Sequence, residues 1–525
     1  MNLKKQKSAK LIKNYFVVIM LGIFVFSLAL RLLTINQIGR TWDEFLYVEQ
    51  GHKMIELIRQ GDLDNSFFYT TYDHPPLVKY LYGIAAQYDV KEYAADGNTI
   101  LYYDLTHARL LSIIIFSLGV LFVSFIGWRM FSPLIGIMAG FILTMMPFSL
   151  GLSQLVSTES WKIFIYPLAI YSYILLLRNY SIKKVLLAGI ITGVALQIKQ
   201  SNLLLLFIFA AMYISYFHQF KEKQKLQFIN NKSRSIIIVG FISIVVFFLF
   251  WPQALLHFQD IQSLHSHYWD VKFSPKPWQI TLSQPEIFFG QLMLTPVFYY
   301  VVYFFISIPV IILVLFTIGF RSIFKKKDWV YFSLLFWFLI PFIMSFYSWR
   351  QHGLRYIIEI YPAIALIAAI GFNTFISRIT KNEGKKFLFF LPIIIYLLLS
   401  LMQIKPYYLD YFNELVGGTN TVYKYQFFQQ GWWGQGMRDA GLYINKNAIN
   451  KSKIGLAVSP EHVLPKSEKL IYEKWTPEKE YDFVVVNYYH IIRDGFDDSL
   501  IRENYDLVYE VKADEAILVF IYKKK

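Results

Sequence analysis

Two adjacent carboxylates, Asp43 and Glu44, follow the first long apolar stretch of the sequence. At a membrane surface such a pair could act as a general base or as ligands of a divalent metal ion. The same segment also suits a structural role, because Thr41 and Glu44 match the T-x-x-E capping box of a helix predicted from Trp42 to Gln60. Asp43 in the first helical turn would be favoured by the helix dipole. Catalysis and helix capping therefore both stay open for this pair.

Further ionisable residues stand at one end of several apolar segments. Such residues are costly at membrane depth and usually face a bundle interior or a polar cavity. An anionic group such as a lipid phosphate would explain the cations, because arginine binds phosphate through two parallel hydrogen bonds. Each long side chain could instead extend to the lipid headgroups. The residues are Arg109, Glu159, Lys199, Arg350, His352 and Arg355.

A second candidate binding segment lies between Asp73 and Lys79. Its Pro75-Pro76 step predicts a rigid, extended stretch of backbone without N–H donors. Such a stretch could hold His74 and Lys79 near an anionic group. Proline-rich entry into a membrane is common, so the pattern by itself is weak.

The elements that must position these residues are apolar runs near 20 residues long. The chain has 525 residues, of which 56% are hydrophobic and 17% charged, and its mean hydropathy is +0.41. A soluble domain carries about 25% charged residues, and about 20 apolar residues cross a bilayer as a helix. The sequence predicts eleven spans, at 15–34, 109–127, 133–150, 160–177, 185–198, 201–217, 235–255, 297–318, 329–347, 357–377 and 387–403.

The distribution of basic residues predicts the orientation. With the N-terminus in the cytoplasm, the short connections on the inner side hold 22 Lys and Arg, and the short outer connections hold 3. The first outer loop is then residues 35–108, and the odd span count places the C-terminus outside. Basic loops beside spans also explain the formal net charge of +15, so nucleic acid is not expected as a partner. No cysteine is present, which excludes disulfides and thiolate metal sites.

The sequence divides into two predicted domains. Residues 1–403 form the transmembrane domain, and residues 404–525 form a small extracytoplasmic α/β or α+β domain. The second prediction depends on β-type runs at 453–458, 482–487 and 516–522, preceded by a helical stretch at 437–444.

The order of these motifs resembles the GT-C superfamily of membrane glycosyltransferases, in particular the protein O-mannosyltransferase and aminoarabinose-transferase branch. The resemblance covers residues 30 to 440. The matching segments are 42–44, 74–79, 108–112, 153–159, 193–199, 355–362, 411–418 and 431–436. Two positions depart from the pattern: Gln154 stands where an arginine is frequent, and Glu159 where an aspartate is usual.

The resemblance implies a sugar donor carried on a polyprenyl phosphate, and transfer to an acceptor hydroxyl with inversion. It implies Asp43 as the general base, with Glu44 supporting the site or a cap. Glu159 would orient the acceptor, and with Asp43 it would bind Mg²⁺ or Mn²⁺ if a divalent ion is used. The residues implied to hold the lipid phosphate are Lys79, Arg109, Lys199 and Arg355.

The acceptor could be a protein, a lipid or a glycan, and membrane lipids are the expected surroundings. A bacterial cytoplasmic membrane with an extracytoplasmic active site is the location that the family branch implies. Two other classes stay open. A polytopic transporter would place its ionisable residues at the bilayer midplane in broken helices, and a non-catalytic lipid-binding protein would not require Asp43.

Overall fold

Apolar helices make up most of this computed structural model, which describes residues 15–70, 74–93, 100–219, 222–263, 285–347, 350–459 and 461–525. Most are apolar on all sides, as expected for helices that pack against each other and against lipid. They are Phe16–Leu32, Thr106–Met130, Pro133–Met145, Pro147–Ser153, Glu159–Arg178, Ile182–Ile198, Leu204–Phe217, Glu222–Phe250, Tyr299–Ser307, Val310–Lys326, Trp329–Met344, Tyr361–Ile376 and Glu383–Ile404.

Six helices in the described part of the chain are long and apolar enough to cross a membrane, or up to eight if each of two bent pairs is one span. The predicted span 133–150 bends by 70° before Pro147, and the predicted span 297–318 bends by 114° between Ser307 and Val310. Proline lacks the N–H that would continue the helix, which explains both breaks. Each predicted span overlaps a helix, but the count of eleven is not confirmed.

The described parts of residues 35–108, the predicted first outer loop, fold into two packed helices, Glu44–Gln60 and Leu77–Ala85. Their contact is backbone against backbone, since a Cβ on Gly51 would lie 2.0 Å from the carbonyl oxygen of Lys79. The short helix Phe67–Thr70 and the antiparallel strands Lys91–Tyr93 and Ile100–Tyr103 complete these parts of the loop.

Two predictions for this loop are wrong in detail. The first helix begins at Glu44 rather than Trp42, with Asp43 at its N-cap. The proline pair does not form an extended stretch, because Pro76 has helical dihedral angles and the helix starts directly after it. A proline can precede the first helical turn without losing a hydrogen bond. Asp73 lies outside the described residues.

The region after the last long helix combines helices with a five-stranded mixed sheet, which agrees with the predicted α/β or α+β class. Its central strand Phe483–Asn487 is buried throughout, which is typical of a strand covered on both faces. The helices of this region are Gly418–Tyr425, Met437–Asn447, Tyr488–Asp494 and Ser499–Asn504. The strand order is Ile471–Lys474, Lys453–Ala457, Phe483–Asn487, Ala516–Lys524 and Tyr505–Ala513, with the first three parallel.

The sheet region packs on the helical bundle through one continuous apolar cluster, which includes residues as far apart as Met20 and Ile521. A division of the chain between residues 403 and 404 stays a prediction. A second hairpin, Pro285–Phe288 with Gln291–Leu294, lies in the loop before Tyr299.

Candidate active site

Four of the predicted site residues meet where several helical segments begin or end. Asp43 caps the helix that starts at Glu44, and Glu159 is the first residue of the helix Glu159–Arg178. Arg355 opens the 3-10 segment Arg355–Ile360, and Lys199 follows the helix that ends at Ile198. Carboxylates at helix N-termini are stabilised by the exposed N–H groups there.

The guanidinium of Arg355 binds the carboxylates of both Asp43 and Glu159. Its Nη2 donates to Asp43 Oδ2 at 2.7 Å, and its Nε donates to Glu159 Oε1 at 3.1 Å. The side chain of Glu159 is 1% exposed, whereas that of Asp43 is 31% exposed. Asp43 is therefore the carboxylate that solvent or an acceptor can reach.

Lys199 adds a second positive charge to this cluster. Its Nζ lies 3.7 Å from Glu159 Oε1 and 5.2 Å from the ring centre of Tyr356. Burial lowers the pKa of Lys199 to about 8, although the carboxylate of Glu159 opposes that shift. The ammonium therefore loses its proton at a lower pH than an exposed lysine does.

Glu44 and Arg109 form a separate buried pair. Arg109 Nε and Nη2 donate to the two oxygens of Glu44 at 2.8 and 2.6 Å. Glu44 also accepts the backbone N–H of Thr41 at 2.9 Å, which is one half of the predicted capping box. It accepts that of Val156 at 2.9 Å as well. These contacts tie Glu44 to the loop and to the segment before Glu159, while its place among the catalytic residues stays a prediction.

Arg109 is occupied in this pair instead of facing a lipid phosphate. Its remaining donors bond the carbonyl oxygens of Ile38 and Gly39 at 3.1 and 2.6 Å. All three guanidinium nitrogens are therefore in use, and the side chain is 6% exposed. The implied role in phosphate binding does not suit this position.

Three further predicted residues, His74, Lys79 and Arg350, have surroundings of their own. Neither His74 nor Lys79 is a hydrogen-bond or ion-pair partner of Arg355 in the described part of the chain. His74 stacks on Tyr47 with ring centres 5.9 Å apart, and Lys79 is fully buried. Arg350 is also fully buried, and its carbonyl oxygen accepts from the Thr295 hydroxyl at 2.8 Å.

His352 contributes a ring rather than a charge. It stacks in parallel on Trp432 at 4.2 Å. Burial, together with the nearby cations Arg355 and Arg493, holds the pKa of His352 well below its usual range. The imidazole is neutral at pH 7, so it does not act as a cation for phosphate.

The C-terminal region closes over the cluster with aromatic side chains that the sequence reasoning did not assign. Trp433 lies face-on to the guanidinium of Arg355 at 3.8 Å, the geometry of a cation–π contact. Asp410 holds the segment that leads to Trp433, because it accepts the backbone N–H of Gly431 at 2.7 Å. His462 packs edge-on against Trp42, next to Asp43, at 5.2 Å.

A buried ion pair between Lys162 and Glu359 was also missed. Lys162 is three residues after Glu159 in the helix Glu159–Arg178, on the same helical face, and Glu359 lies in the 3-10 segment that Arg355 opens. Lys162 also donates to the carbonyl oxygen of Tyr356 at 3.2 Å. Charges at this spacing inside an apolar segment were the signal that could have identified the pair.

Gln154, the first departure from the family pattern, has a structural position. Its Nε2 donates to the carbonyl oxygen of Arg31 at 2.7 Å and to the Thr34 hydroxyl at 2.5 Å. It therefore ties the end of the first apolar helix to the segment that leads into Glu159.

The arrangement fits an arginine between the carboxylates better than a metal ion. Asp43 and Glu159 each use an oxygen on Arg355. The described residues contain no group of three or more His, Asp or Glu side chains that could hold a metal. A divalent ion at Asp43 and Glu159 would have to share both ligands with the Arg355 guanidinium.

Comparison with known proteins confirms the predicted resemblance. The model of the family described as dolichyl-phosphate-mannose-protein mannosyltransferase matches residues 21–262. This range contains Asp43, Glu159 and Lys199, but not Arg355 or Trp433. A comparison with curated protein sequences finds no match.

Solved structures of similar fold span nearly the whole chain. The apo oligosaccharyltransferase of Archaeoglobus fulgidus has a TM-score of 0.50 and 13% identity, covering 98% of this chain and 75% of that one. ArnT of Cupriavidus metallidurans, solved with undecaprenyl phosphate, has a TM-score of 0.49 and 12% identity, with coverage of 96% and 98%. The Pmt1–Pmt2 complex of S. cerevisiae, solved with its sugar donor, has a TM-score of 0.34 and 17% identity, covering 46% of this chain and 34% of that one. The fold is of the GT-C type.

Proposed function

We propose that this chain is a GT-C-type glycosyltransferase that moves a sugar from a polyprenyl-phosphate donor to an acceptor hydroxyl, with inversion. The single observation that carries the proposal is Arg355, which holds the half-exposed Asp43 and the buried Glu159 on one guanidinium. The family match over residues 21–262 and the GT-C fold support a lipid-linked donor.

Arg355 suits the donor phosphate because its two carboxylate partners leave part of the guanidinium available. They use Nε and Nη2, and the two N–H groups of Nη1 have no acceptor among the described residues. These groups can bind a phosphate oxygen while the carboxylates fix the orientation of the guanidinium. Lys199 adds a second cation beside Glu159.

In the proposed reaction, Asp43 accepts the proton of the acceptor hydroxyl. The acceptor oxygen then forms its bond to the anomeric carbon from the side opposite the phosphate. The bond between that carbon and the phosphate oxygen breaks, and its electron pair leaves with the polyprenyl phosphate. Arg355 and Lys199 stabilise the charge that develops on the leaving group, which is where fixed cations lower the barrier.

Glu159 serves as a positioning residue in this mechanism. Its carboxylate is 1% exposed and contacts both Arg355 and Lys199, so it holds the two cations on one side of Asp43. Mg²⁺ or Mn²⁺ at Asp43 and Glu159 stays a prediction that a chelator tests: transfer that persists in EDTA supports the arginine-based mechanism.

The acceptor class and the sugar are the open parts of the proposal. A protein, lipid or glycan hydroxyl each fits a half-exposed base, and both hexosyl and pentosyl donors carry the same phosphate. We place the reaction on the extracytoplasmic face of a bacterial cytoplasmic membrane, with the C-terminus on the same side, because of the bias in basic residues.

The test is transfer from a radiolabelled polyprenyl-phosphate sugar in proteoliposomes supplied with membrane extract as acceptor. Asp43→Asn removes the base and should lower the rate by about 10²–10⁴-fold, while donor binding persists. Asp506→Asn, the same change at an exposed aspartate of the C-terminal region, should leave the rate unaltered.

Two results would contradict the proposal. Full transfer by Asp43→Asn would remove Asp43 from the base role. Wild-type protein that carries the labelled lipid across the bilayer without releasing polyprenyl phosphate would be a transporter. Mass spectrometry of co-purified lipids checks the donor class directly.

A further inference from the structure

The segment that delivers Arg355 has an unusual backbone. His352 and Gly353 have φ angles of +57° and +62°, so two successive residues adopt the left-handed conformation. For a residue with a Cβ, this conformation is unfavourable, and it persists only where the surroundings hold it. The turn therefore needs partners that fix its N–H groups.

Glu286 supplies those partners from a distant part of the chain. One of its oxygens accepts the backbone N–H of His352 at 2.7 Å, and the other accepts the Tyr299 hydroxyl at 2.7 Å. The Tyr299 oxygen in turn accepts the backbone N–H of Gly353 at 3.0 Å. Glu286 and Tyr299 thus bind both left-handed residues, directly and through one hydroxyl.

The same hairpin region holds the turn at one more point. Glu286 lies on the strand Pro285–Phe288, and the Thr295 hydroxyl, just beyond the paired strand, donates to the carbonyl oxygen of Arg350. Glu286 is 2% exposed, so its carboxyl group is buried beside the turn. None of these residues contacts Arg355 itself through a hydrogen bond.

We propose that Glu286, acting through Tyr299, is a positioning residue that sets the turn at His352 and Gly353 and thereby holds Arg355 between Asp43 and Glu159. The effect of Glu286 on sugar transfer rests on the proposed function. Its effect on the turn at His352 and Gly353 is independent of that function. The loop before Tyr299 thus acts on the reaction without touching the substrate.

The first experiment measures the turn itself. Tyr299→Phe removes only the hydroxyl, and Glu286→Ala removes both acceptors. Hydrogen exchange at the amides of His352 and Gly353 should be faster in both variants than in wild type. Tyr173→Phe is the control, because this buried tyrosine has no hydrogen-bond partner for its hydroxyl among the described residues.

The second experiment measures the consequence for the donor. Tyr299→Phe should raise the KM for the polyprenyl-phosphate sugar by about 3–10-fold, the size expected for a lost hydrogen bond, with a smaller change in kcat. In an Arg355→Lys background, the same substitution should have little further effect, because both act through one group. Glu286→Gln keeps an acceptor and should recover part of the loss seen in Glu286→Ala.

The outcomes separate the two proposals. Unaltered amide exchange in Tyr299→Phe and Glu286→Ala overturns the positioning role, and so does an effect on KM that adds fully to that of Arg355→Lys. Faster exchange together with a wild-type protein that transfers no sugar upholds the effect on the turn and overturns the proposed function.

Discussion

Asp43 and Glu44 are neighbours in the sequence but differ in burial and in their partners. Glu44 is fully buried and accepts four hydrogen bonds, from Arg109 twice and from the backbone of Thr41 and Val156. Asp43 stays 31% exposed and is bound by Arg355. Successive residues at a helix start point in different directions, so one carboxylate enters the core and the other stays partly exposed.

The two arginines differ in the same way. Arg109 donates from all three of its nitrogens, two of them to backbone carbonyls. Arg355 donates from two nitrogens, and the face of its guanidinium is covered by Trp433. A guanidinium with every donor used is part of the scaffold, whereas one with N–H groups remaining can bind a ligand.

The largest effect should come from breaking the scaffold pair. Glu44→Gln leaves the charge of Arg109 buried without its counterion, which costs about 3–5 kcal/mol of folding stability. The folded yield and the unfolding temperature in detergent should fall. The double variant Glu44→Leu with Arg109→Met should recover only part of the loss, because it removes the unpaired charge but leaves the N–H groups of Thr41 and Val156 without their acceptor.

This prediction sharpens the contrast with Asp43. Asp43→Asn should unfold at nearly the wild-type temperature and lose transfer. Glu44→Gln should unfold at a lower temperature and keep transfer activity per folded molecule. If Glu44→Gln kept its stability and lost transfer, the assignment of roles within the pair would be wrong.

A smaller effect is expected from the aromatic cover of Arg355. A cation–π contact contributes about 0.5–2 kcal/mol, so Trp433→Leu should raise the donor KM by roughly 2–30-fold. Trp475→Leu, at an aromatic contact with Phe496 in the sheet region, is the matched control. Equal donor KM values for the two variants would mean that Trp433 only fills space.

The smallest expected effect is a pH dependence of the donor KM. It should come from Lys199 in the Arg355 cluster and not from the pair of Glu44 and Arg109. The lowered pKa of Lys199, about 8, means that its ammonium loses the proton as the pH rises through that value. The donor KM should therefore rise a few-fold between pH 7 and pH 9, because one cation beside the phosphate disappears. Lys199→Gln should have the higher KM throughout and a flatter profile. If the donor KM of Lys199→Gln depended on pH as that of the wild type does, the titrating group would be another residue.

Hydropathy and motif order predicted much of this molecule correctly. The apolar runs correspond to helices, the β-type runs at 453–458, 482–487 and 516–522 correspond to strands of one sheet, and the resemblance seen in the motif order agrees with the family model that matches residues 21–262. Local composition suffices for these features because burial in lipid or in a sheet selects side chains residue by residue.

The number of membrane spans was harder to predict from the sequence than the helices and strands. A window of apolar residues does not reveal a 114° bend between Ser307 and Val310, since a proline near the break ends one helix and permits another. The helix that follows also runs on to Lys326, into a stretch that the pattern predicts as a connection.

For the site, the sequence by itself determined which residue types were present: an acidic pair after the first apolar helix, a second carboxylate at Glu159, and cations on a side otherwise poor in them. Only the tertiary structure decided which cation meets which carboxylate. Glu44 finds Arg109 across 65 positions, and Asp43 finds Arg355 across 312. Side-chain spacing along a helix reports neighbours within about one turn, and pairing over such separations depends on how the helices pack. That packing gave Asp43 the exposed position and enclosed Glu44.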